Sequence, residues 1–137
     1  MSITMSPASA AASTFAPLRV LVLDDDPLLL EIMRDMLASC GPHVIVTESE
    51  ARTALLRLDE AMPDVLICDL MLPEMDGIEF MQAAAAHGYR GKVILLSSLE
   101  DGVREAAGDL ARALGLQVVG SYRKPLAPEQ LREALAC

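Results

Sequence analysis

Tryptophan is absent from this 137-residue chain, and its aromatic residues are only Phe15, Phe80, Tyr89 and Tyr122. A core with so few rings must be filled by Leu, Val, Ile, Ala and Met, whose branched or flexible side chains interlock to reach native density. Basic residues are scarce as well. Eleven Lys and Arg stand against twenty Asp and Glu, a formal net charge of −9. Nucleic-acid binding needs a basic face to neutralise phosphates, so no direct nucleic-acid contact is expected. A divalent cation or a basic partner patch suits this charge better.

Cysteine is also sparse. Cys40, Cys68 and Cys137 are odd in number and show no C-x-x-C spacing, which predicts free thiols in a cytoplasmic setting rather than a disulfide, redox or metal role. Uninterrupted apolar stretches fall short of the roughly 18 residues that mark a membrane span, so no membrane partner is expected. Residues 1–17 are rich in Ala and Ser, with Pro7 and Pro17, and lack the basic start and apolar centre of a signal peptide. They read as a disordered N-terminal arm, leaving 18–137 as one domain.

What the chain does have is a set of short aliphatic runs, each ending on a residue suited to handling a phosphoryl group. Val20-Leu21-Val22-Leu23 leads into Asp24-Asp25, Val65-Leu66-Ile67-Cys68 into Asp69, Val93-Ile94-Leu95-Leu96 into Ser97, and Val118-Val119 onward to Lys124-Pro125. Between them lie longer helical patterns. The order predicted is strand 18–23, helix 27–39, strand 43–47, helix 49–61, strand 64–68, helix 77–87, strand 92–96, helix 101–115, strand 117–122 and helix 128–136. Pro27 suits a first helical position with Asp26 as its cap, and Gly41-Pro42, Gly88 and Gly115 mark helix exits. Ala51, Ala54, Leu55 and Leu58 in the second helix, and Val103, Ala106, Ala107, Leu110 and Leu114 in the fourth, recur at helical spacing and are expected on the sheet. Five βα units with right-handed crossovers give a doubly wound (βα)5, flavodoxin-like α/β sandwich of three layers. Its five-stranded parallel sheet takes the order 2-1-3-4-5, with a crevice between the first and third strands.

Ligands of open α/β sheets bind beyond the carboxyl ends of the strands, so Asp24, Asp25, Asp69, Ser97 and Lys124 are expected to converge. Three carboxylates at one edge repel one another unless a cation or proton uptake offsets them. All-oxygen ligands favour Mg²⁺ or Mn²⁺ over zinc, and magnesium accepts phosphate oxygens alongside one or two carboxylates. One carboxylate could then act as nucleophile and become an aspartyl phosphate, with Lys124 and Ser97 meeting the transferred oxygens. Each residue also has a plain reading: Asp26 as a helix cap, Asp24 and Asp25 as solvated turn acids, Asp69 as a loop cap and Lys124 as a surface lysine. His43 and His87 stand isolated and receive no functional role.

Taken together, Val22-Leu23-Asp24-Asp25-Asp26-Pro27, Asp64 through Gly77, Leu95-Leu96-Ser97-Ser98 and Lys124-Pro125 resemble the receiver domain of two-component response regulators, over about residues 18–136. The resemblance implies a phosphoacceptor that serves its own phosphorylation rather than an enzyme acting on other substrates. Asp69 would be the acceptor; Asp24, Asp25, Asp69 and the backbone carbonyl of Met71 would hold Mg²⁺, with Mn²⁺ as a substitute. Ser97 would be the switch hydroxyl and Lys124 the phosphate-binding lysine, joined to Pro125 by a cis peptide. Implied partners are a sensor histidine kinase or phosphotransfer protein, an output domain or partner protein, and a second copy meeting through the helix 4 region.

Two departures accompany the resemblance. Where the family usually has an aromatic switch residue, three places before the lysine, this chain has Ser121, with Tyr122 one place later. Ser97 and Lys124 lie 27 positions apart, longer than usual, which predicts an extended fourth helix. With Leu114 through Gly120, this resembles receivers that precede cyclic-di-GMP phosphodiesterase domains. Two other readings stay open: a haloacid-dehalogenase-type phosphatase using Asp24-x-Asp26, and a receiver-like interaction module that works without phosphorylation.

Overall fold

A computed structural model describes residues 17–73 and 75–136. The expected arm therefore lies outside the described residues except for the exposed Pro17. Five strands, β1 (Arg19–Leu23), β2 (Val44–Glu48), β3 (Val65–Asp69), β4 (Lys92–Ser97) and β5 (Gln117–Arg123), alternate with five helices. These are α1 (Pro27–Cys40), α2 (Ala51–Ala61), α3 (Gly77–Ala86), α4 (Asp101–Ala113) and α5 (Pro128–Ala136). All strand pairs are parallel and the order is β2-β1-β3-β4-β5, as the sequence predicts.

Strand side chains alternate between the two sheet faces, which explains why the central runs are apolar throughout. Leu21, Leu23, Leu66, Cys68, Val93 and Leu95 face α2, α3 and α4, where Ala54, Leu58, Phe80, Met81, Ala84 and Ala111 close the core. Val20, Val22, Val65, Ile67, Ile94 and Leu96 face α1 and α5, meeting Met33, Leu37, Leu131 and Ala134. Phe80 alone among the described aromatics is fully buried.

The helix boundaries follow local chemistry. Asp26 Oδ1 accepts from the Leu28 amide to cap α1 with Pro27 at its start, and Asp76 Oδ1 accepts from Glu79 to cap α3. Gly88 and Gly115 take left-handed φ values of 76° and 97° after α3 and α4, conformations that cost glycine little. At the end of α2 the left-handed residue is Met62, φ 45°, a break that the sequence reading did not single out.

Two expectations are corrected. The outward side of α4 carries Val103, Ala106 and Leu110, with Val103 and Leu110 51% and 40% exposed; its sheet side is Arg104, Ala107, Gly108 and Ala111. Small residues let α4 lie close over the sheet: a Cβ at Gly108 would stand 4.0 Å from Leu95 Cδ1. His43 and His87 are not isolated, since His43 Nδ1 accepts from the Leu18 amide at 3.1 Å and His87 Nδ1 pairs with Asp59 at 3.0 Å. Neither contact involves Asp24, Asp25 or Asp69.

Cys40 and Cys68 are free. Burial, and then the charges of Asp69 and Asp24, push the Cys68 thiol well above its ordinary range, and a thiol that does not ionise is a poor nucleophile. In the native protein Cys68 should resist iodoacetamide at pH 8 and react only after denaturation. Peptide mapping that finds Cys68 alkylated at the rate of Cys40, which is part-exposed, would contradict this.

Candidate phosphoryl and metal site

The carboxyl ends of β1 and β3 lie side by side, and each delivers an acid. Asp24 follows β1 and extends its ladder through its amide to Glu48 O, 3.1 Å; Asp69 ends β3. Both are almost fully buried, at 1% and 2% exposure. Each carboxylate is oriented by the chain just beyond it, Asp24 Oδ1 accepting from the Asp26 amide and Asp69 Oδ1 from the Met71 amide, both at 2.9 Å. Such short-range turns fix the acids without long side-chain reach.

Lys124 supplies the charge between them. Its Nζ donates to Asp24 Oδ2 at 2.6 Å and to Asp69 Oδ2 at 2.9 Å. The Lys124 amide donates to Ser97 O at 2.9 Å, locking the end of β5 onto the end of β4, and the Lys124–Pro125 peptide is cis. Burial disfavours the ammonium, but its hydrogen bonds to Asp24 and Asp69 outweigh that and hold its pKa above the ordinary lysine value. For Asp69 the balance is reversed. Burial raises its pKa, with Asp24 adding to the rise, against the opposing pull of the Met71 amide and Lys124.

The exposed Asp25 completes a group in which one ligand atom each from Asp24, Asp25 and Asp69 lies within 4.8 Å of the others. The donor set is all oxygen, and an ammonium already sits between two of its members, so a hard divalent cation fits the charge and the chemistry. Ser97 lies at the next strand end, fully buried, with its Oγ accepting from the Leu99 amide at 2.9 Å. The serine hydroxyl is thus at the same sheet edge but held by its own loop. Met71 sits two residues past Asp69 with its side chain exposed, tied by its amide to the Asp69 carboxylate. Asp26 is committed to capping α1, so Asp24-x-Asp26 does not present two free acids to one pocket. A separate hollow of about 540 Å³, lined by Met62, Asp64, Tyr89 and Lys92 among others, opens at the opposite ends of the strands and holds none of these residues.

The sequence profile of the response regulator receiver domain matches residues 20–136. The chain belongs to this family. Curated relatives include a protein-glutamate methylesterase/protein-glutamine glutaminase of Nocardioides sp., 35% identical over 86% of this chain and 34% of its own length. The cyclic di-GMP phosphodiesterase RocR of Pseudomonas aeruginosa is 31% identical over 86% of this chain and 30% of its own. This chain therefore spans about a third of the length of those relatives. Among solved structures, Vibrio cholerae chemotaxis protein CheY4 aligns with a TM-score of 0.75 at 27% identity, covering 88% of this chain and 97% of that one.

One feature of this receiver domain escaped the sequence reading. Val93 pairs with Val118 but Ile94 pairs with Gly120, so Val119 is an extra residue in β5, a bulge. A bulge breaks the alternation of faces. Val118 lies in the α4-side core, while Val119 and Tyr122 pack toward α1 and α5. Tyr122 lies back over Gly120, where a Cβ would stand 2.6 Å from its ring. Ser121 consequently faces α4, and Arg104 Nε donates to its hydroxyl at 3.2 Å. The part-exposed Tyr122 is on the other face and does not substitute for a ring at position 121.

Proposed function

We propose that this receiver domain takes a phosphoryl group on Asp69 from a sensor histidine kinase or phosphotransfer protein, in a Mg²⁺-dependent step that Mn²⁺ also supports. The observation that carries this reading is the buried Asp69 carboxylate held between the Lys124 ammonium and the Met71 amide, beside Asp24 and Asp25. Asp24, Asp25, Asp69 and the Met71 backbone carbonyl would hold the metal, which when bound neutralises the acids and draws charge from the phosphoryl oxygens. A carboxylate oxygen of Asp69 attacks phosphorus as the bond to the donor's histidine nitrogen breaks. Lys124 then pairs with the transferred oxygens, and the Ser97 hydroxyl donates to one of them.

The match over residues 20–136 supports 18–137 as the receiver unit, with 1–17 as an arm before it. Its span of about a third of its relatives' lengths supports a place at the N-terminal part of a longer regulator, and the likeness to RocR favours a cyclic-di-GMP phosphodiesterase output. The exposed Val103 and Leu110 of α4 support contact with a partner or a second copy through that helix. A cytoplasmic location accords with free Cys40 and Cys68. No helix among the described residues is long and apolar enough to cross a membrane.

Intact mass after incubation with Mg²⁺ and acetyl phosphate tests the reading. A gain of one phosphoryl group, mapped to Asp69 and lost with chelator, is expected. Modification at Asp24, or none in the presence of Mg²⁺, would overturn it.

A further inference from the structure

Arg104 lies in the first turn of α4, and its side chain is only 12% exposed. Its Nε donates to Ser121 Oγ on β5, and its Nη2 pairs with Asp101 Oδ1 at 3.0 Å. Nη1 is buried with no hydrogen-bond partner among the described residues. A guanidinium carries five N–H donors, and hiding some of them unpaired is costly. Asp101 compensates little, because its side chain is 70% exposed and an ion pair facing water is weak. The buried position of Arg104 is therefore held by a narrow margin, with the Ser121 bond as its tie to the strand.

The same turn is wired to the switch hydroxyl. Ser97 Oγ holds the Leu99 amide, Glu100 follows, and Glu100 O accepts from the Arg104 amide at 3.0 Å. No side chain caps this helix start, so the first turn of α4 can follow its loop without breaking a cap.

We propose that Arg104 is the moving group of this receiver's switch, buried against Ser121 while Asp69 is unmodified and released to solvent when a phosphoryl group occupies it. This rests on the phosphoacceptor reading above and names the regulation of that same site. A phosphoryl oxygen draws the Ser97 hydroxyl toward it, and the hydroxyl oxygen leaves the Leu99 amide. The loop and the first turn of α4 shift, the long Arg104–Ser121 bond opens, and water satisfies all five donors. A positive charge thereby appears on the α4–β5 surface, where the family's usual device is a change in an aromatic side chain.

Nitrogen-15 spectra of the arginine side chains, recorded with and without Mg²⁺ and beryllofluoride, test this. The Arg104 Nε–Hε peak is assigned as the one lost in Arg104→Lys, and the fluorine spectrum reports whether the site is filled. The adduct should speed Hε exchange with water at least about tenfold, since exchange tracks opening. Ser121→Ala should exchange fast even without the adduct while still binding it, and Ser121→Thr, which keeps the hydroxyl, should restore protection. Unchanged Arg104 protection with the fluorine signal of a filled site would overturn the switch. Absence of that fluorine signal in the wild type would instead overturn the phosphoacceptor reading, and this inference with it.

Discussion

Asp69→Asn is expected to abolish phosphoryl uptake and, without divalent cation, to raise the melting temperature at neutral pH. The first effect follows because an amide oxygen is not the nucleophile that a carboxylate is. The second comes from linkage. Burial holds the folded-state pKa of Asp69 above its ordinary value despite the Met71 amide and Lys124. Stability is then highest below the unfolded-state pKa, about 3.9, and is lost as pH rises through the folded-state value. At neutral pH, above the unfolded-state value, the raised folded-state pKa is a cost to stability, and asparagine removes it. Lys124 keeps its 2.6 Å partner Asp24. A gain of about 1 kcal/mol, or about 4 °C, is expected at pH 7. The gain should vanish below about pH 4, where the native carboxyl is neutral as well. Thermal melts in chelator across this range decide it, and a mutant no more stable than wild type at pH 7 would show that Lys124 already cancels the cost.

Gly77→Ala should cause a large loss of stability from a single added methyl group. A Cβ at Gly77 would lie 2.5 Å from Leu70 Cα and 2.8 Å from Leu70 Cδ2. The side chain could turn away, but the backbone of Leu70 could not. It stands between Asp69 and Met71, and Leu70 O accepts from the Gly77 amide at 3.0 Å. Alanine gains up to about 1 kcal/mol in helix propensity, less at a first-turn position, whereas overpacking of this kind costs about 1–3 kcal/mol before the site distorts. A net loss of about 2 kcal/mol is expected. Urea titration should show a lower midpoint with an unchanged slope. Phosphoryl uptake should slow in the folded mutant, because the loop that orients Asp69 Oδ1 has moved. A midpoint equal to wild type would refute the clash.

Much of this was legible because strand ends and chemistry coincide. Asp24, Asp69 and Ser97 each follow or end an aliphatic run, and Lys124 stands just past the last strand; a parallel sheet brings such ends to one edge, so the cluster could be read from spacing. The inward face of α4 could not. Helical spacing predicts Val103, Ala106, Ala107, Leu110 and Leu114 on the sheet, yet the buried row is Arg104, Ala107, Gly108 and Ala111, at spacing i, i+3, i+4 and i+7; Ala107 is common to both, while Val103 and Leu110 point outward. Helical period alone cannot choose between a row of large residues and a row of small ones when the sheet beneath already supplies the volume through Leu95 and Val93. The bulge at Val119 was equally hidden. It fixes that Ser121 and not Tyr122 faces α4, and nothing in the local sequence marks which residue of β5 is the extra one.

The contact of α4 with the sheet has a mechanical consequence. Ridges that interlock with grooves give a helix one seat, and leaving it means lifting side chains over one another. Ala107, Gly108 and Ala111 offer little to interlock, so along this stretch α4 rests on a nearly smooth bearing. Arg104 is the pin at one end, and at the other Arg112 Nε and Nη2 reach Val118 O at 3.4 Å and 3.3 Å. A helix mounted this way can slide or roll when one pin is drawn, with little core to repack.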